Sequence, residues 1–146
     1  MGMYGAVFLA LTLMLGLLLD LDDRAARSSE STDLSVLAHS LLVYRNALAE
    51  YAVAHPSVTG AVADAALNLP TWYVKASGVQ GYIAAGRSYT YCSDPPRGLA
   101  TQLGELTGRT LAVGSVSGGQ LVNPFAGQVG VSVPTAIPQG SVVLYQ

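Results

Sequence analysis

The chain has 146 residues, of which only 11% are charged, and a net charge of −2. That balance leaves no basic face to neutralise phosphates, which argues against nucleic-acid binding. Cys92 is the single cysteine, so no disulfide forms within the chain.

Residues 1–19 carry no charged side chain, and from residue 3 onward only Gly5, Thr12 and Gly16 interrupt the apolar run. A helix of this length covers roughly 28 Å, close to the hydrocarbon thickness of a bilayer. Glycines such as Gly5 and Gly16 are common in membrane spans, and Asp20, Asp22, Asp23 and Arg24 then end the run abruptly. The stretch reads as one uncleaved transmembrane anchor. A signal peptide would want a basic start and a small-residue cleavage site, but Arg24 stands where a small residue is needed before Ala25 and Ala26. A core helix apolar on every face is too much for so short a chain to wrap, and Cys92 lies too far downstream for a lipoprotein. Arg24 and Arg27 follow the span, and a literal positive-inside count would put the C-terminal side in the cytoplasm. Long domains translocate largely regardless of such charges, so charge alone leaves the orientation open.

Residues 20–32 (DLDDRAARSSEST) form a charged, then serine-rich collar. Ser28, Ser29, Ser31 and Thr32 favour a break, with Thr32 or Asp33 as the N-cap of a new helix. That helix is expected over 33–55. Leu34, Leu37, Leu41, Tyr44, Leu48 and Tyr51 recur at alternating spacings of three and four and share one face, and Pro56 ends the run. The seam suits packing on the domain's own sheet and also permits self-association.

A short helical turn is expected over 62–67, followed by strands over 72–74, 79–84 and 88–91. Asp94-Pro95-Pro96 makes a turn. In RGLATQLGEL (97–106), Leu99, Leu103 and Leu106 lie on one face of a second helix, closed by Gly108. The last third reads as strands over 110–116, 120–122, 130–133 and 141–145, with Gly118-Gly119 as a hairpin turn. The plan is α+β: an anchor (1–19), a collar (20–32) and a domain (33–146) whose amphipathic helix precedes a small antiparallel sheet, rich in strands over 70–146 and carrying one further helix.

Chemistry is sparse. His39 and His55 are sixteen residues apart with no Cys, other His or paired carboxylates near either, which does not resemble a metal site. No basic residue lies within three positions of Cys92, which reads as a structural thiol. GSVSGG (114–119) fails the nucleophile-elbow register because Val116 occupies the central position. Glu50, Asp64, Asp94 and Glu105 are scattered, and no phosphate loop or dinucleotide fingerprint is present. The expectation is a chain that is not an enzyme, with no catalytic, cofactor-binding or metal residues. Its aromatic residues cluster instead, and Trp72, Tyr73, Tyr82 and Phe125 are the candidate protein contacts.

Several stretches together carry a resemblance: LVYRNALAEY (42–51), LNLPTWY (67–73), GRSYTY (86–91), GLA (98–100), GQLVNP (119–124) and AIPQGSVVL (136–144). The chain resembles the PilM family of short inner-membrane proteins encoded with the type IVb thin pili of conjugative plasmids. These are distinct from the larger actin-like protein that shares the name. The resemblance implies a single-pass inner-membrane component of pilus assembly, in the basal body or pilin transport apparatus, with its domain in the periplasm and other pilus-assembly proteins as partners. It supplies no enzymatic residues or cofactor.

The plan is also similar to that of pilins, and NPFAG (123–127) resembles the Asn-Pro-aromatic-Gly-Gly turn of type IVb pilins, with Ala126 in place of the first Gly. The basic leader ending in Gly and the glutamate five residues into the span are missing, so the chain reads as pilin-like in shape but not processed as a pilin. A minor pilin or pseudopilin that enters the filament is the first rival. A membrane-anchored envelope enzyme is the second, and it would need converging polar side chains such as Cys92 with a histidine.

Overall fold

The computed structural model describes residues 29–146, so the expected anchor and most of the collar lie outside the described residues. Helix α1 occupies 29–54. The break expected around Thr32 and Asp33 is not there, because 29–33 are already helical. Serine and threonine cost only tenths of a kcal/mol each inside a helix. Each residue added to a helix gains one backbone hydrogen bond, which offsets that cost. Among the described residues no helix is long and apolar enough to cross a membrane.

Seven strands follow: β1 (Gly60–Ala61), β2 (Val79–Ala84), β3 (Arg87–Cys92), β4 (Val113–Ser117), β5 (Gln120–Asn123), β6 (Gly127–Ser132) and β7 (Val142–Tyr145). A 3-10 turn at Asp64–Ala66 lies between β1 and β2, and helix α2 (Leu99–Leu106) lies between β3 and β4. The strands form one antiparallel sheet in the order β1-β2-β3-β7-β4-β5-β6. The fold is α+β, as expected.

The C-terminal strand β7 is central, between β3 and β4, because its sequence is apolar on both faces. Val142 and Leu144 point into one cluster and Val143 into the other. Two tight hairpins fix the register. Gly118 and Gly119 have φ of 58° and 73°, and Ala85 and Gly86 have 50° and 73°, the positive values that two-residue hairpins require. Ala85 lacks the signal a glycine would give, and as a non-glycine in this region it costs about 1 kcal/mol.

The expected strands over 110–116 and 130–133 appear as β4 and β6, shifted by a few residues. The expected strand over 72–74 is absent; these residues form a turn and irregular chain. The reason is tertiary. The segment crosses α1, where no neighbouring strand offers a ladder of hydrogen bonds, so its alternation of side chains serves another purpose.

One sheet face carries α1 and α2. Leu41, Tyr44 and Leu48 are fully buried there with Leu99, Leu103, Val113 and Leu144, while Leu34, Leu37 and Tyr51 pack at the margin. Burying each such leucine contributes about 1.5–3 kcal/mol. The other face holds Tyr89, Tyr91, Val116, Leu121 and Val143, closed by Val133 and Ile137 from the segment leading into β7.

Candidate contact surface

Between β1 and β2 the chain forms a strap, residues 62–76, that crosses α1. Its inward side chains are fixed by polar bonds. The Tyr73 hydroxyl lies 3.0 Å from the Ser40 hydroxyl and donates to the Ser40 carbonyl at 3.2 Å. The Tyr44 hydroxyl donates to the Asp64 carboxylate at 2.8 Å, and Lys75 Nζ donates to the other oxygen at 2.6 Å. The ammonium also lies 5.6 Å from the centre of the Tyr44 ring, which in turn is 6.5 Å from the Tyr73 ring. Burial, reinforced by the Asp64 carboxylate, pushes the Tyr44 phenol far above its usual range. The Lys75 hydrogen bond holds the Asp64 carboxyl below the usual carboxylate value. An ionised carboxylate and a protonated phenol make a latch.

Fixing Tyr73 inward turns its neighbours outward. Trp72 is 70% exposed and Val74 85%, and both stand beside Val36 of α1, which is 64% exposed. With Ser40 and Val43 they line a groove of about 460 Å³ that carries no formally charged residue. Two of the four expected contact residues, Trp72 and Tyr73, therefore sit side by side, with ring centres 6.5 Å apart. Val36, Val74 and the Tyr44–Asp64–Lys75 latch were not legible in the sequence, since their partners are distant in the chain.

The other two contact residues lie elsewhere. Tyr82 is half-buried on the opposite sheet face, paired in register with Tyr89, which pairs in turn with Tyr145. Phe125 is 40% exposed on the turn between β5 and β6, where its ring packs on Gly104 of α2 and lies 5.0 Å from the Arg109 guanidinium. That turn is built around Asn123, whose amide donates to the carbonyls of Thr110 at 2.9 Å and Val113 at 2.8 Å. Its oxygen accepts from the backbone N–H groups of Phe125 and Ala126, each at 2.9 Å.

The histidines are tied to their own helix. Nδ1 of His39 donates to the Ser35 carbonyl and Nδ1 of His55 to that of Tyr51, on whose ring His55 also stacks. Cys92 is buried, and burial pushes its thiol up. Among the described residues no group of three or more His, Cys, Asp or Glu side chains is arranged to hold a metal ion.

The PilM family profile matches residues 8–145. This chain belongs to the PilM family. The family is a pilus-related one. A crystal structure described as a PilM protein from Pseudomonas aeruginosa 2192 is 44% identical, with a TM-score of 0.50, over 78% of this chain and 95% of its own. Another, described as a PilM protein from Escherichia coli B7A, shares the fold at a TM-score of 0.60 and 22% identity, over 80% of this chain and 94% of its own. No curated protein matches the chain.

Proposed function

We propose that this PilM-family chain is a non-catalytic, inner-membrane-anchored component of type IVb pilus assembly, of the kind encoded with conjugative thin pili. Residues 1–19 hold it in the bilayer, and the domain works in the periplasm as part of the basal body or pilin transport apparatus. The observation that carries this reading is the family match over residues 8–145, nearly the whole chain. The uncharged stretch at 1–19 supports the anchor. The groove beside Trp72 supports a role in protein contact, since aromatic anchors beside apolar hollows are where binding energy concentrates.

A cysteine added after Gln146 tests the placement. A membrane-impermeant thiol reagent should label it in intact spheroplasts. Labelling only after lysis would put the domain in the cytoplasm and remove the periplasmic role. Recovery of the chain in sheared pili would make it a filament subunit instead.

A further inference from the structure

We infer that the outward stripe of α1 is an interface for a second copy of this chain, packed antiparallel about a two-fold axis; this rests on reading that side of the domain as a contact surface. Val36, His39, Val43, Asn46, Glu50 and Val53 follow one another at alternating spacings of three and four, opposite the buried seam of Leu41, Tyr44 and Leu48. Solvent-facing helix sides are ordinarily rich in charge, yet this stripe holds one acid and no Lys or Arg. Val53 is 83% exposed near one end and Val36 stands out near the other.

The stripe complements itself in one direction only. With the axis passing between Tyr44 and Arg45, Val53 of the second copy meets Val36, Glu50 meets His39, and Asn46 meets Val43. In a parallel pair Glu50 would face Glu50 and His39 would face His39, placing like groups together. Shape agrees with charge. The Val36 end opens onto the groove walled by Trp72 and Val74, a hollow for Val53 of the second copy. Around Val53 lies a shallow depression formed by Asn46, Ala49, Glu50, Ala54 and Gln146, which receives Val36 in return. Each copy gives and takes the same contact, as a two-fold interface requires.

The test uses full-length chains carrying Val36→Cys or Val53→Cys, co-expressed with different tags and mildly oxidised in the membrane. Positions 36 and 53 are about 26 Å apart along one helix, so no disulfide between them closes within a single copy. The buried Cys92 is common to every sample. Co-expression should give a cross-linked species of about twice 15.1 kDa, at least tenfold more abundant than with either variant alone. Equal cross-linking by one variant alone would mean a parallel pair and overturn the inference. Absence of any cross-link would also overturn it. In that event maleimide labelling of Val36→Cys in cells tells the two readings apart. A shielded cysteine leaves the contact surface standing with a different protein on it, and a freely labelled one removes the contact reading as well.

Discussion

The 62–76 strap and the 123–127 turn are both held by side-chain hydrogen bonds, but of opposite kinds. The turn relies on one buried side chain: Asn123 makes four hydrogen bonds, all within thirteen residues of chain. The strap relies on several half-exposed groups, with bonds from Tyr73 to Ser40 and from Tyr44 to Asp64 that span 33 and 20 residues. A saturated amide in a dry setting is costly to disturb, whereas an ion pair whose side chains are 35% and 45% exposed is screened by water. The turn is therefore a fixed part of the fold. The strap is a weaker fastening, and it presents the most exposed aromatic residue of the domain.

The comparison can be broken first at Asn123. Asn123→Ala should cost about 3 kcal/mol in urea unfolding, because it strands the buried Val113 carbonyl and three part-buried partners at once. A loss under about 1 kcal/mol would show that water or backbone shifts replace the amide, and the contrast would collapse. Tyr44→Phe comes next. It removes one hydrogen bond to a carboxylate from a ring that otherwise stays buried, so the loss should be near 1 kcal/mol, with far-UV circular dichroism unchanged.

The smallest effect belongs to Asp64, and pH sharpens it. Its carboxyl is held below the ordinary value of 3.8 by the Lys75 hydrogen bond, so the folded state keeps it ionised to lower pH than the unfolded chain does. The stabilisation is therefore complete above about pH 4 and lost as pH falls through the lower folded value. Solvent screening limits it to a few tenths of a kcal/mol, up to about 1. Asp64→Asn should flatten that part of the stability profile between pH 5 and 2 and leave the rest in place. An unchanged profile would mean that the latch carries no stability.

The same contrast explains what could be read beforehand. The α1 seam, β2, the two helices and the Gly118-Gly119 hairpin rest on periodicity or on a backbone preference of one or two residues, and all were legible. The NPFAG turn was legible only through its resemblance to a pilin turn; the bonds from Asn123 to Phe125 and Ala126 are local, but those to Thr110 and Val113 were not legible. The expected strand over 72–74 did not form because aromatic and β-branched residues favour strands without saying what lies on either side. Here the inner side is Ser40 of a helix, so no ladder forms. The continuity of α1 through Thr32 went the same way: a cap signal is a local preference of about 1 kcal/mol, and the hydrogen bonds gained by extending the helix outweigh it.

By itself the sequence determined the α+β class, the face of α1 that turns inward and the family, because each follows from local pattern or from many small matches along the chain. Tertiary structure alone decided that β7 would enter the middle of the sheet, that Lys75 would find Asp64 and that Trp72, Val74 and Val36 would stand around one groove. Those outcomes depend on which distant segments share the limited space on the sheet and on α1, and no local preference encodes that competition.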